Sequence, residues 1–195
     1  MRMRISAGDH RGRRLRSPRG RQTRPTSEFL RQAVFNMLAA QVQGARFLDL
    51  FAGTGAVGLE ALSRGASAVT FVEGEPRAVK SLRANVDALS FSGRARVIAG
   101  DALPMLARLE AAGTAFDIIF MDPPYAGDLA ARCMERLARG GILSENGILV
   151  VQAFHKTVLP ERAGLLARVR ERRYGESALV FYTKNRAGAN FTENQ

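Results

Sequence analysis

From residue 44 onwards, short apolar runs alternate with longer amphipathic stretches, and this alternation constrains the possible folds more than any other feature of the chain. The apolar runs have the length of buried strands, and the stretches between them have the length and spacing of helices. Strands joined by helices pair in parallel. We therefore predict an α/β fold with a mostly parallel sheet covered on both faces. The first five predicted strands are Phe47–Phe51, Ala68–Glu73, Ala95–Ala99, Phe116–Met121 and Gly147–Ala153.

The end of the chain departs from this alternation. Leu165–Tyr174 and Ser177–Lys184 are separated by only two residues, which is typical of an antiparallel hairpin that closes the sheet and brings it to seven strands. One folded domain is expected over residues 26–186, followed by a disordered tail over residues 187–195. The predicted helices are a first one from Thr26 or Ser27 to about Ala40, then Ala56–Arg64, Pro76–Leu89, Ala102–Ala111 and Leu129–Arg139.

Positive charge is concentrated at the beginning of the chain, in residues 1–25. Residues 1–24 hold nine of the 29 basic residues and one of the 18 acidic ones, which accounts for +8 of the formal net charge of +11. This basic N-terminal arm, with a possible β-hairpin, is interpreted as a nucleic-acid-binding segment, because arginine suits phosphate contacts. A solvated tail is the alternative interpretation. The arginines are Arg2, Arg4, Arg11, Arg13, Arg14, Arg16, Arg19, Arg21 and Arg24.

Composition excludes several classes of protein. Cys133 is the single cysteine, so an internal disulfide and a cysteine-based metal site are excluded. Only His10 and His155 could add nitrogen ligands, and we expect no metal. No apolar stretch is long enough to cross a bilayer, and the arm lacks the apolar face of a membrane-surface helix. A cytoplasmic monomer with no membrane association is expected.

A glycine-rich segment joins the first predicted strand to its helix. Gly53, Gly55 and Gly58 have the G-x-G-x-x-G spacing of nucleotide-binding folds, in which glycines permit a tight turn and close approach of a ligand to the backbone. On its own this spacing is also compatible with an ordinary strand-to-helix turn. The segment is Asp49-Leu50-Phe51-Ala52-Gly53-Thr54-Gly55-Ala56-Val57-Gly58.

Acidic residues follow the next two predicted strands at the same sheet edge. Glu73 ends the second strand and can accept hydrogen bonds from ribose hydroxyls, while Asp101 follows the third strand and precedes Ala102. The loop has no Lys or Arg to balance a pyrophosphate, which disfavours NAD. Acids around the site suit a cation, so S-adenosylmethionine is the predicted cofactor, with Asp49 as an acceptor for its ammonium group.

The fourth predicted strand runs directly into Asp122-Pro123-Pro124-Tyr125. Two prolines cannot continue a central strand, so this segment must leave the sheet in one stiff shape. It offers a carboxylate, free carbonyls and an aromatic ring at the edge where open α/β sheets bind ligands. Such a set suits the exocyclic amine of a nucleobase, although Asp-Pro is also common in ordinary turns.

Taken together, these motifs resemble a class I S-adenosylmethionine-dependent methyltransferase with a Rossmann-like fold. More closely, the chain resembles the bacterial family that methylates the exocyclic N2 of a guanine in small-subunit (16S) ribosomal RNA. One departure is Gln152, where this family typically has an acid nearby. The matching segments are Arg4–Gly8, Gly12–Leu15, Arg24-Pro25-Thr26, Leu48–Gly55, Glu60–Ala66, Phe71-Val72-Glu73, Gly100-Asp101-Ala102, Asp122–Tyr125 and Arg173-Tyr174-Gly175.

The resemblance implies methyl transfer from S-adenosylmethionine to guanine N2 in 16S rRNA, either free or within a partly assembled small subunit. The alternatives are adenine-N6 methylation of DNA or RNA, a non-catalytic nucleic-acid-binding protein and, more distantly, an NAD oxidoreductase. It implies catalytic roles for Asp122, Pro123, Pro124 and Tyr125. The implied cofactor-binding residues are Asp49, Phe51, Ala52, Gly53, Thr54, Gly55, Glu73, Asp101 and Ala102. The implied RNA-binding residues are Arg4, Arg11, Arg13, Arg14, Arg16, Arg24 and Arg173.

Overall fold

The structure is a computed structural model that describes residues 3–17, 28–124 and 127–184. The predictions for Arg24 and Tyr125, for the start of the first helix and for the tail over 187–195 concern residues outside these ranges.

One mixed sheet organises the described part of the chain. Its strand order is β3-β2-β1-β4-β5-β8-β7-β6. Strands β1 to β5 pair in parallel, while β5, β8, β7 and β6 pair antiparallel. This arrangement confirms the predicted fold class. The strands are β1 (Arg46–Leu50), β2 (Ala68–Glu73), β3 (Ala95–Ala99), β4 (Phe116–Met121), β5 (Leu143–Phe154), β6 (Arg162–Ala163), β7 (Leu166–Tyr174) and β8 (Ser177–Lys184).

The sheet differs from the prediction at two places. It has an eighth strand, β6, which is only two residues long and forms by pairing with the first two residues of β7. Strand β5 starts at Leu143 rather than at Gly147, and its register against β4 shifts between Phe116 and Ile118. Strand β6 is too short to show an alternating apolar pattern, and the early start of β5 depends on the pairing of Leu143 with the distant Phe116.

Helices cover both faces of the sheet. Alternate residues of the central strands point to opposite faces and join two separate cores. We call one side the arm face, because Ile5 and Leu15 of the arm pack there together with α1, α3 and α4. Helices α5 and α6 cover the other face. The helices are α1 (Glu28–Met37), α2 (Ala39–Val42), α3 (Ala56–Ser63), α4 (Pro76–Ala88), α5 (Ala102–Ala111) and α6 (Leu129–Arg139).

The described part of the arm folds back on itself and lies against α3. Arg4 and Arg14 form an antiparallel bridge, and the backbone N–H of Ile5 donates to the Arg13 carbonyl at 2.9 Å. Every residue of α3 is buried, because the helix is covered by the sheet on one side and by the arm on the other. The arm thus forms part of the fold around the helix that follows the glycine-rich loop.

Within the described ranges, none of the helices is both long enough and apolar enough to span a membrane.

Candidate active site

The order of the strands creates a crevice at one edge of the sheet. We call this the carboxyl edge, because the carboxyl ends of β1 to β5 meet there. The chain order of the strands reverses between β1 and β4, which lie side by side with Leu50 opposite Met121. In open α/β sheets, ligands bind at such a reversal point. The glycine-rich loop follows β1, and Asp122 follows β4, so both predicted motifs lie at this point.

The glycine-rich loop has an unusual backbone. Phe51, which is not a glycine, has a φ of 68°, and Gly53 and Gly55 have φ angles of 55° and 82°. A positive φ in a residue with a side chain costs about 1–3 kcal/mol and occurs mainly at functional sites. The turn is fixed from outside, since the Ala52 N–H donates to the Val72 carbonyl at 3.0 Å. The loop therefore presents backbone atoms of residues 51–55 at the crevice.

Gly58 is needed for packing. A Cβ atom at this position would lie 2.3 Å from the Phe71 ring of β2, so only glycine lets α3 lie this close to the sheet. Its N–H donates to the Asp49 carboxylate at 2.8 Å. The third glycine of the motif thus holds the start of α3 over the end of β1.

Asp49 is a buried acid beneath the loop, with only 2% of its surface exposed. Burial raises the pKa of its carboxyl to about 7; the hydrogen bond from Gly58 opposes this rise, and the charges of Asp122 and Glu73 add to it. A cation placed nearby would favour the ionised form. The electrostatics of the site therefore favour a positively charged ligand.

The second acid supports the loop from β2. One oxygen of Glu73 accepts the Gly53 N–H at 2.6 Å, and the other accepts the Glu75 N–H at 2.8 Å. Asp101 follows β3 at the same edge, and a Cβ on Gly74 would lie 3.2 Å from its Oδ1. Ala102 begins α5 directly after it. The structure thus brings together the glycine loop and the acids of three neighbouring strands, as the sequence predicted.

The segment Asp122-Pro123-Pro124 leaves β4 beside this loop. Asp122 is half-buried, Pro123 is buried and Pro124 is exposed. Gln152 follows Val151, the partner of Met121, so Asp122 and Gln152 both follow a paired position on neighbouring strands. Gln152 is only 4% exposed, and its Oε1 accepts no hydrogen bond in the described part of the chain.

The predicted RNA-binding arginines do not all lie together. Arg4, Arg11, Arg13, Arg14 and Arg16 are exposed on the arm. Arg173 lies opposite Ala178, which belongs to the core of the other face, so the structure does not bring it to the arm.

Two residues that the sequence analysis did not single out hold the arm in place. The buried Arg31 donates from Nε to Glu60 at 3.3 Å and from a terminal nitrogen to the Arg4 carbonyl. The buried side chain of Asn85 accepts the Arg16 N–H at 2.7 Å and donates to the carbonyls of Arg16 and Thr54 at 3.0 Å. Both are polar residues inside otherwise apolar helix faces. That pattern in the sequence could have identified them as buried hydrogen-bonding residues.

No metal site is apparent, since the described residues contain no cluster of three or more metal-ligating side chains. The glycine cradle and the acids fit a cationic nucleoside.

Known proteins resemble this chain over nearly its full length. The family described as Conserved hypothetical protein 95 matches residues 3–183. The "Putative rRNA methyltransferase YlbH" of Bacillus subtilis is 34% identical and the match covers 93% of this chain and 99% of that protein. The "Ribosomal RNA small subunit methyltransferase D" of Escherichia coli K12 is 34% identical over 95% of this chain and 92% of that protein.

A solved structure shares the fold. It is titled "Putative methyltransferase yhhF from Escherichia coli", has a TM-score of 0.83 and is 34% identical, with 94% of this chain and 98% of that chain covered.

Proposed function

The chain belongs to the family described as Conserved hypothetical protein 95, and on that premise we propose that it transfers a methyl group from S-adenosylmethionine to guanine N2 in 16S rRNA. The observation that carries the proposal is the position of Asp122 and the two prolines beside the glycine loop, at the reversal point of the strand order. Curated relatives named as rRNA methyltransferases support the RNA substrate.

The cofactor-binding role rests on the three acids and the loop. S-adenosylmethionine supplies an electrophilic methyl group on a positively charged sulfur. Glu73 accepts hydrogen bonds from the ribose hydroxyls, and Asp101 and Ala102 border the adenosine. The carboxylate of Asp49 compensates the ammonium group, and the backbone of residues 51–55 provides close contact.

Asp122 and the Pro123 carbonyl act on the target amine. The lone pair of an exocyclic amine is conjugated into its ring, so the nitrogen is a weak nucleophile. Two acceptors for its N–H groups favour a pyramidal nitrogen whose lone pair is aimed at the methyl group. Tyr125 stacks on the base and sets its plane. Catalysis here relies on positioning and on preorganised acceptors, and the base must first leave its stack.

Gln152 supports guanine as the target. Its buried Oε1 is an acceptor next to the strand end that holds Asp122. A guanine whose N2 is held by Asp122 presents a second donor, N1–H, beside it, whereas the corresponding atom of adenine is an acceptor. Guanine N1–H would therefore donate the hydrogen bond that the buried Oε1 of Gln152 needs.

The arm is proposed to hold the RNA backbone, because its exposed arginines suit phosphate contacts. The proposed rRNA substrate implies a cytoplasmic activity.

The test is incubation with tritiated S-adenosylmethionine and undermethylated 16S rRNA, either free or in assembled subunits, followed by nucleoside analysis. We expect label in N2-methylguanosine. Asp122→Ala is expected to abolish transfer while S-adenosylmethionine binding, measured by calorimetry, persists. Asp128→Ala is the matched control, because that exposed aspartate forms an ion pair with Arg132 on α6.

Label in N6-methyladenosine would replace the proposed substrate by the adenine alternative. Full activity in Asp122→Ala would remove the role assigned to that carboxylate.

A further inference from the structure

An aromatic pair, in which Phe29 is exposed and Tyr174 is half-buried, lies near the site. The rings of Phe29 and Tyr174 meet edge to face, with centroids 5.7 Å apart and an interplanar angle of 75°. Phe29 is 67% exposed, although it lies in the first turn of a helix whose other apolar residues are mostly buried. Most of the Phe29 ring therefore does not contribute to packing of the fold. Single exposed apolar residues are common on proteins, so the pair needs a further reason to be called a site.

Its position supplies the first reason. Tyr174 is opposite Ser177, and Ser177 is opposite Phe154 at the end of β5. The pair therefore lies at the carboxyl edge, where Asp122 follows the end of β4, the neighbour of β5. Between β4 and β7 the sheet contains β5 and β8, which corresponds to a separation of about 15 Å at the usual strand spacing. A few nucleotides of single-stranded RNA can span that distance.

The charges around the pair supply the second reason. Arg170 is opposite Phe181 and Arg172 is opposite Leu179, and both partners belong to the core of the arm face. Because residues paired across an antiparallel ladder point to the same face, these arginines share the arm face with Tyr174. We call Phe29, Tyr174, Arg170 and Arg172 the aromatic–arginine surface. It joins the carboxyl edge on the side where the arm packs.

We infer that the aromatic–arginine surface binds an unpaired RNA nucleotide near the methylated base. The ring of Phe29 stacks on the base. Tyr174 holds that ring in place through the edge-to-face contact, and Arg170 and Arg172 face the phosphates. Stacking suits this role because every base has an aromatic face, so it positions the strand without requiring a particular sequence. The inference rests on the proposed function, since it extends the same substrate along the sheet edge.

The test uses a single-stranded oligouridine RNA that carries one 2-aminopurine, whose fluorescence falls when it stacks. Wild-type protein is expected to quench the probe on binding. Phe29→Ala should weaken binding by about fivefold or more, since base stacking contributes about 1–3 kcal/mol, and should abolish the quenching. Phe29→Tyr should retain both. Leu165→Ala is the control: it is 53% exposed and precedes the opposite end of β7.

Methyl transfer to undermethylated 16S rRNA is measured for the same proteins, which separates the two proposals. If wild-type protein quenches the probe and Phe29→Ala does not, but wild-type protein methylates no rRNA, the proposed function fails and RNA binding by the aromatic–arginine surface stands. If it methylates rRNA while Phe29→Ala and Leu165→Ala bind and quench alike, the inference is overturned. It is also overturned if Phe29→Ala loses activity only on assembled subunits with RNA binding unchanged, because the ring would then contact a protein.

Discussion

Two buried carboxylates lie near opposite sides of α3, and they differ in the number of hydrogen bonds they accept. Glu60, facing the arm, has no exposed surface and accepts hydrogen bonds from Ser6, Ala7, Arg31 and Arg64. Asp49, beneath the glycine loop, is 2% exposed and, among the described residues, accepts one hydrogen bond, from Gly58.

The two regions differ in how far each carboxylate is compensated. The Glu60 region satisfies its charge within the protein, because two arginines and the arm backbone surround the carboxylate. The Asp49 region leaves its charge poorly compensated, and the pKa of the carboxyl rises to about 7 as a result of burial. A fully satisfied polar group holds structure together, whereas an incompletely satisfied one at a cleft is suited to a ligand.

Breaking the satisfied region has the largest expected effect. Glu60→Ala leaves Arg31 buried without its counter-charge, which costs about 3–5 kcal/mol in free energy of unfolding. Urea denaturation measures the loss. Asp117→Ala, which breaks the exposed pair with Arg46 at 3.1 Å, is the control and should cost at most about 1 kcal/mol.

The double variant Glu60→Leu with Arg31→Met sharpens this test. Removing both charges is expected to restore part of the stability, because no unpaired charge remains. Equal losses in Glu60→Ala and Asp117→Ala would show that the buried network does not anchor the arm.

Removing the charge of Asp49 should have the opposite effect and raise the free energy of unfolding. The folded-state pKa of Asp49, about 7, lies above its ordinary value of 3.8, so the folded protein retains a proton that the unfolded chain loses. The stability this proton contributes is present below about pH 4 and is lost as the pH rises to about 7. Asp49→Asn removes that loss and keeps an acceptor for Gly58. We expect it to stabilise the protein above pH 7 by an amount on the order of 2–4 kcal/mol.

Urea denaturation at about pH 5 and about pH 8 measures this dependence, and S-adenosylmethionine affinity measured alongside should fall in Asp49→Asn. Asp117→Asn provides the contrast, because the hydrogen bond from Arg46 lowers the pKa of that carboxyl. A stability difference between wild type and Asp49→Asn that does not vary with pH would contradict the raised pKa.

The smallest expected effect concerns Asn85, which joins the two regions by bonding both Arg16 of the arm and Thr54 of the loop. Asn85→Ala leaves these partly buried backbone groups without their side-chain partner and should cost about 1–3 kcal/mol. Hydrogen exchange of the Arg16 amide should also become faster. Ser92→Ala removes an exposed hydrogen bond to Asp87 and is the control. Unchanged exchange at Arg16 would mean that the arm is held without Asn85.

Much of the fold was predictable because its signals are local. The strand and helix bounds of α5, α6, β2, β3 and β4 agree with the periodicity of the sequence. The glycine loop and the acids of Glu73, Asp101 and Asp122 could be assigned to one edge, because residues that follow parallel strands meet at the carboxyl ends of those strands.

By itself, then, the sequence determined the α/β architecture and which residues meet at the carboxyl edge. Only the tertiary structure decided that Glu60 is enclosed by the arm, that Asp49 has one hydrogen-bond donor among the described residues, and that Phe29 meets Tyr174. Each of these depends on which distant residues become neighbours and on how much water remains between them. Apolar periodicity carries neither kind of information, since it reports which face of an element is buried but not what lies against it.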